Sequence, residues 1–441
     1  MRIIQALGWY VPDSLGGTEV YVMGLCRRLR SAGHHVSVAA PAAGAPAPSS
    51  YEHDGVKVLR YPIPALPSRE ECQGSRPVRG AEHFRRFLLR EKADVVHFHT
   101  FVTGLGLAEA AAAKTSGARV IVTTHSSSLG YICQRGTMMR WGERVCDGLC
   151  RPAKCAACVL QSRGLPKFFS TVLGALPGPV SRTGRDLSGR LGTALAMHDL
   201  ISRNQAMQRE MLTTVDRFVL LTQWALDAAA QNGAPREKLV LNRLGFSQRS
   251  SGRKPGPAER PTVGPIRVGY LGRFEAVKGV HDLARAAASL PSELPLEVEF
   301  RGPVRTGEER RVLAELRALT GHGSRVRFAG AVSPDDVLAV LAGYDVLCCP
   351  SVSLEGGPTV AIEAFAAGTP VVGTRIGGLA EMVTDGVNGR LVPPCDWRAL
   401  AGVLRAVALD PAGTLDRWRG SLPPARTMDE IATDYLSLYV A

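Results

Sequence analysis

Two glutamates eight residues apart, Glu355 and Glu363, bracket the stretch EGGPTVAIE and offer the sharpest chemistry in the chain. An apolar run ends at Pro350, so Glu355 belongs to a loop beyond a strand. Gly356 and Gly357 allow another group to approach the backbone closely. Pro358 suits the first position of a helix that Thr359 and Val360 continue. Such a helix start presents free N–H groups and a positive dipole end, a site for anionic or polar ligand atoms. One carboxylate can then sit at a reacting sugar. The other, Glu363, lies about one turn into the helix and can accept hydrogen bonds from both hydroxyls of a ribose.

A second stretch, GRFEAVKG at 272–279, carries Arg273 and Lys278 just past another apolar run. Two cations leaving one strand end can neutralise a diphosphate as it departs, with no metal. A third, LGGTE at 15–19, puts Gly16 and Gly17 at the start of a helix, where they would face phosphates. It is not the G-x-G-x-x-G fingerprint, which argues against nicotinamide chemistry. The fourth is a set of histidines at strand ends, His97 and His99 in VVHFHT and His125 in VIVTTHS. There a histidine can hydrogen-bond a sugar hydroxyl or stabilise charge, with a packed or capping role open for His97 and His99.

These groups need elements to carry them. Short apolar runs alternate with helical patterns, the signature of βαβ units and parallel sheets. The first half reads as strands at 2–7, 35–39, 56–61, 94–97, 120–124 and 217–221, with helices at 18–32, 83–92 and 106–115. A polar stretch rich in Gly, Pro, Ser and Arg at 247–265 reads as a linker. Beyond it a second alternation runs through strands at 266–271, 296–301, 326–329, 345–349 and 370–374. Its helices are expected at 279–289, 308–319, 334–341 and 359–367. The expectation is an α/β protein of two facing, doubly wound domains, 1–246 and 266–426, with ligands in the cleft at the carboxyl ends of the strands.

Composition narrows the classes. A chain of 441 residues suits two domains. No apolar run of about 18 residues appears, and the first residues read as a strand instead of a signal peptide, so a cytoplasmic protein is expected. Net charge is +13, concentrated in an insertion at about 130–196 where ten Lys or Arg face three acids. That excess fits a solvated surface or an anionic partner. The insertion also holds Cys133, Cys146, Cys150, Cys155 and Cys158, whose C-x2-C and neighbouring spacings fit a tetrahedral structural zinc site. Free thiols and an iron–sulfur cluster remain alternatives.

GGTE, TTHS, GRFEAVKG, EGGPTVAIEAFAAGTPVVGTRIGG and NGRLVPP together resemble family 4 of the retaining glycosyltransferases, over nearly the whole chain. The resemblance implies the GT-B fold, two facing Rossmann-like domains with a closing helix, here 427–441, crossing back to the first. It also implies roles: Glu363 for the nucleotide ribose, Arg273 and Lys278 for the diphosphate, and Glu355 for donor-sugar hydroxyls. His125 would lie near the reacting carbon, and Gly16 and Gly17 would cover the phosphates. The acceptor hydroxyl would attack on one face of the sugar through an oxocarbenium-like state, a phosphate oxygen taking the proton. With no convincing Asp-x-Asp pair, no metal or cofactor is expected in the reaction. Some relatives share the cysteine segment, with Cys133, Cys146, Cys155 and Cys158 recurring. Asn242-Arg243-Leu244-Gly245 departs from the Pro-Asn-Gly-Ile-Asp common in the family, which touches the hinge and not the chemistry.

The expected partners are a nucleotide-sugar donor, bearing UDP or GDP, and a small natural-product, glycan or lipid-linked acceptor. Peripheral membrane contact is compatible with the basic insertion and with the Arg85-Arg86-Phe87-Leu88 helix. A nucleotide-sugar epimerase of similar fold is the near alternative and needs no acceptor. A zinc-stabilised nucleic-acid-binding protein would explain the charge but not the paired glutamates, and aromatic interleaving is sparse, so no nucleic-acid partner is expected.

Overall fold

The computed structural model describes residues 1–440 except Leu15, Arg69's side chain, Gln73, Ser75, Ser126, Ser127, 129–131, Ser188, 247–263 and 322–324. Leu15 of the first Gly-Gly turn, Ser126 of TTHS, most of the expected linker and parts of the insertion thus lie outside the described residues. The chain divides into two compact units. Unit 1 comprises Met1–Gly136, Asp147–Arg243 and Thr427–Ala441; unit 2 comprises Thr137–Cys146 and Leu244–Arg426.

Unit 1 is built on an eight-stranded sheet. Its strands are β1 (Arg2–Ala6), β2 (His35–Ala43), β3 (Ser49–His53), β4 (Val56–Ile63), β5 (Val95–Phe98), β6 (Arg119–Thr123), β7 (Arg217–Leu220) and β8 (Leu239–Leu241). The order is β8-β7-β6-β5-β1-β2-β4-β3, parallel except for β3 against β4. Ile3, Ile4, Val95, Val96, Val120 and Ile121 are almost wholly buried, as expected of strands covered on both faces. The chain winds outward from β1 in one direction and from β5 in the other. The gap between them is the topological switch point, where ligands meet such sheets.

Helix Gly17–Ser31 follows β1, and its Glu19 folds back so that Gly16 N donates to Oε2 at 3.0 Å. The same carboxylate accepts from Ser14 Oγ at 2.7 Å. A side chain at Gly16 would collide with Glu19, its Cβ falling 2.8 Å from Oε2. The closing helix Met428–Val440 belongs to unit 1 and packs on Gly17–Ser31. It buries Ile431, Tyr435 and Tyr439.

Unit 2 holds a six-stranded, wholly parallel sheet of β9 (Ile266–Leu271), β10 (Leu296–Arg301), β11 (Val326–Ala329), β12 (Val346–Cys349), β13 (Val371–Thr374) and β14 (Gly389–Val392). Its order, β11-β10-β9-β12-β13-β14, puts a second switch point between β9 and β12. One face packs Val268, Tyr270, Phe300, Val346 and Leu404. Leu347, Phe365, Val371 and Leu379 pack together elsewhere in the unit.

The structure departs from the sequence reading in two respects, the insertion's grouping and the edge strands. The insertion is not confined to the first unit, because its hairpin, Met139–Arg140 against Arg144–Val145, groups with unit 2. Leu354 N donates to Thr137 O at 2.9 Å, which ties that hairpin to the Glu355 loop. The rest of the insertion is mostly helical, over Pro152–Ser162, Lys167–Gly174, Gly178–Thr183 and Gly189–Leu195. Strands β3, β8 and β14 add edges that short or mixed runs did not announce.

Tyr435 is fully buried and shares its hydroxyl with Thr123 and Tyr21 at 2.8 and 3.1 Å. Tyr435→Ala should therefore destabilise unit 1 by about 3–5 kcal/mol, and Tyr435→Phe by about 1 kcal/mol. Urea unfolding followed by fluorescence checks both; equal and negligible losses would mean the helix is not integral to the core.

Candidate active site

Two loops leave adjacent strands at the unit 2 switch point. The first, after β9, is pinned by Tyr270 Oη donating to Arg273 O at 2.6 Å and by buried Phe274. It turns through a short 3-10 segment, Ala276–Lys278, into Gly279. Gly279 has φ 69°, and a Cβ there would lie 1.8 Å from Pro350 O, so only glycine fits against the second loop. That second loop follows β12, and Val352 N donates to Val277 O at 2.9 Å.

This stitching brings Lys278 to Glu355. Lys278 Nζ donates to Glu355 Oε2 at 2.9 Å, and Ser351 Oγ donates to Oε1 at 2.7 Å. Ser351 is itself fixed by Thr374 Oγ1, which donates to its carbonyl at 2.6 Å. The Glu355 carbonyl accepts from Gly378 N at 2.8 Å. Gly357 takes φ 125°, a conformation other residues avoid. Pro358 caps the helix Thr359–Ala366 from just outside, one position earlier than the sequence implies. Thr359 and Val360 are its first residues, and their N–H groups lack intrahelical partners by position.

Glu363 lies in the second turn of that helix. Among the described residues nothing pairs with its carboxylate, and burial pushes its pKa up to about 7. Arg273 is more exposed and pairs with Glu275 at 2.6 Å. Unit 2 thus gathers two cations and three acids at one sheet end, with Lys278 in direct contact with Glu355 and Arg273 with Glu275 of its own loop.

In unit 1 the histidines form a buried chain that ends on His125. His97 and His99 do not present themselves to a ligand, as their strand-end positions suggested; both are wholly buried. His97 contacts Tyr439 Oη at 2.8 Å and Thr123 Oγ1 at 2.7 Å. Gln5 Nε2 donates to Tyr439 Oη at 3.3 Å, which leaves Gln5 Oε1 to accept from His99 Nε2 at 2.6 Å. Burial holds His99 well below the ordinary imidazole range, hence neutral, so its Nδ1 is a bare acceptor. His125 Nε2 must then donate to it across 3.1 Å, leaving His125 Nδ1 as the acceptor. Burial lowers His125 to about 4, and the Tyr21 ring lies 4.8 Å from its own, edge to face. His125 is a neutral, oriented imidazole. Gly17, at the start of its helix, has open space at its Cβ position.

Among the described residues the insertion's cysteines form no disulfide. Among the described residues no group of three or more His, Cys, Asp or Glu is arranged to hold a metal ion. Cys133, Cys150, Cys155 and Cys158 lie in unit 1, whereas Cys146 lies in unit 2. Cys150 is kept a neutral thiol by its hydrogen bond with Cys155, then by burial. Arg135 directs a guanidinium nitrogen to the Cys158 sulfur at 3.9 Å.

Sequence reasoning missed Gln5, Thr123, Tyr21, Tyr435 and Tyr439, the groups that orient His125, and Ser351, which holds Glu355. A signal existed for some of them: Gln5 is polar inside an apolar strand, and Tyr435 and Tyr439 are spaced to share a helix face.

Residues 16–245 match the family described as "Glycosyl transferase 4-like domain", and 257–420 match "Glycosyl transferases group 1". A D-inositol 3-phosphate glycosyltransferase of Corynebacterium urealyticum is 38% identical over 148 residues, 32% of this chain and 35% of that protein. The chain thus spans about a third of that relative. The enzyme of the same name from Salinispora tropica is 28% identical over 96% of this chain and 80% of its own. The structure of Anabaena HepE in complex with UDP and glucose superposes with a TM-score of 0.64, at 18% identity, over 100% of both chains. That likeness identifies the fold as GT-B.

The histidines give unit 1 a pH signature. Their folded pKa values lie below the unfolded 6.5, so their contribution to stability is complete above pH 6.5 and is lost as pH falls toward 4. Each such group costs about 1.4 kcal/mol per pH unit in that window. Urea midpoints measured between pH 7 and 5 should fall steeply, and less steeply in His99→Gln. A flat profile would show the imidazoles to be solvated.

Proposed function

The chain belongs to the glycosyl transferase 4-like family, and from that premise we propose that it is a retaining glycosyltransferase using a UDP- or GDP-linked sugar. The acceptor is a hydroxyl on a small natural product, a glycan or a lipid-linked compound. The observation that carries the reading is Glu363: a partly buried carboxylate with no partner among the described residues, inside the helix that follows the Lys278–Glu355 loop. A ribose offers two adjacent hydroxyl donors to one carboxylate, which would satisfy both of its oxygens.

In this reading Arg273 and Lys278 hold the diphosphate. Both cations are already paired with carboxylates, Glu275 and Glu355, so a diphosphate would enter by competing for them. Lys278 would then bridge Glu355 and phosphate, coupling recognition of the sugar hydroxyls by Glu355 to charge relief at the leaving group. The backbone at Gly356, Gly357, Pro358, Thr359 and Val360 supports this, because a helix start favours anionic and polar ligand atoms. For unit 1, the proposal gives Gly16 and Gly17 a place beside the phosphates. His125, kept neutral, would accept a hydrogen bond from a donor-sugar hydroxyl without adding positive charge at the reacting carbon. The acceptor oxygen attacks the anomeric carbon as the bond to the diphosphate breaks, and a phosphate oxygen takes the acceptor's proton. Retention follows from attack on the face the diphosphate leaves.

Glu363 supplies the test. Its pKa near 7 belongs to the unliganded protein, and both oxygens can accept from a ribose diol only in the ionised form. Donor affinity should therefore fall by up to about tenfold per pH unit as pH drops below 7 and level off above it. Glu363→Gln should weaken donor binding by about tenfold or more and remove the slope. Titration calorimetry with UDP and GDP sugars, whose phosphates do not titrate in that range, reads both. Unchanged affinity and slope in the variant would remove the assignment.

A further inference from the structure

Three short helices of the insertion are packed the wrong way round for a soluble surface. In Lys167–Gly174 the buried residues are Ser170 and Gly174, while Phe168, Phe169 and Val172 are 72%, 58% and 52% exposed. The close fit beneath depends on the small residues: a Cβ at Gly174 would fall 2.7 Å from Ala157 N in the supporting helix Pro152–Ser162. Gly178–Thr183 repeats the pattern, burying Ser181 and leaving Val180 51% exposed. Gly189–Leu195 does so again, burying Gly192 with Leu191 69% exposed. All three rest on the helix Met197–Thr214. Ser181 Oγ donates to Leu195 O at 2.8 Å, and His198 Nδ1 meets Gly174 O at 2.9 Å.

Large apolar side chains turned outward on consecutive helices are rare on a surface that meets only water. What surrounds them chooses the occupant. Between Pro152 and Leu195 the sequence carries six Lys or Arg and one acid, Asp186. Lys167 and Arg190 are exposed on these helices, and Arg163 is exposed at the end of the supporting helix Pro152–Ser162. Arg182 and Arg185 are drawn to buried Asp199, Arg182 at 3.4 Å. Two copies of this chain meeting through the patch would bring their cationic rims together, which opposes self-association. An anionic bilayer complements both features, accepting aromatic and aliphatic side chains below its headgroups and offering phosphates to the bases. Among the described residues no helix is long and apolar enough to cross a membrane, so seating is at the surface.

We propose that this part of the insertion, 163–191, seats the protein on an anionic lipid surface, with Phe168, Phe169, Val172 and Leu191 entering the interface and Arg163, Lys167 and Arg190 engaging headgroups. This goes beyond the transfer reaction and does not depend on it.

The full chain is sedimented with vesicles of phosphatidylcholine alone and of phosphatidylcholine mixed equally with phosphatidylglycerol. Binding is expected to the mixed vesicles only, and to weaken as salt is raised. Phe168→Ser with Phe169→Ser, and separately Arg163→Glu with Lys167→Glu, should each lower binding by about tenfold or more. No binding to either vesicle overturns the proposal. So does a concentration-dependent dimer abolished by the serine pair in the absence of lipid. Should the serine pair fail to fold, Phe168→Trp decides: its emission moves to the blue with mixed vesicles if the proposal holds, and an unmoved spectrum contradicts it.

Discussion

The ion pair between Lys278 and Glu355 closes two loops that leave neighbouring parallel strands, and most of the chemistry assigned to unit 2 depends on it. Both partners are partly withdrawn from water, so losing one would leave the other poorly solvated. The pair exists because Gly279 lets one loop lie against Pro350 O and because Ser351 and Thr374 brace the carboxylate from behind. The open sheet makes the rest possible: at its switch point two loops diverge and leave room for a ligand beyond the strand ends. In the proposed function a diphosphate sugar would bring negative charge to Lys278 and hydroxyls to Glu355 together.

Unit 1 solves a different problem. Imidazoles, tyrosines, a threonine and a glutamine are sealed under the closing helix, where an unpaired polar group is costly. The network satisfies most of these groups in sequence and, as a by-product, fixes which ring nitrogen of His125 carries the proton. Orientation set by remote hydrogen bonds is the usual way a neutral histidine is kept ready for one task. The helix Met428–Val440 therefore stabilises unit 1 and also sets the proton arrangement at a candidate functional side chain through Tyr439, Gln5 and His99.

The parallel sheets were legible because buried strands such as Ile266–Leu271 and Val346–Cys349 are almost pure apolar runs. Lys278, Glu355 and Glu363 were legible because glycines and a proline mark the turns that deliver them. The inward turn of His97 and His99 was not, since a strand's alternation does not say which face a helix far along the chain will cover. The destination of Thr137–Cys146 was hidden for a related reason: its contact with Leu354 is backbone to backbone and leaves no mark in side-chain type. Cysteine spacing likewise does not register Arg135 against Cys158 or the Cys150–Cys155 contact. The insertion's helices were obscured by Gly and Pro, which here permit close helix packing and short turns.

Where the nucleotide sugar binds decides the roles of Glu355, Glu363, Arg273 and Lys278. A crystal structure of the protein soaked with its best-binding UDP or GDP sugar measures that directly. The expected result is the ribose hydroxyls on the Glu363 carboxylate, the diphosphate on Arg273 and Lys278, and the sugar against Glu355. A nucleotide bound away from the ends of β9 and β12, with the Lys278–Glu355 pair and Glu363 untouched, would contradict it.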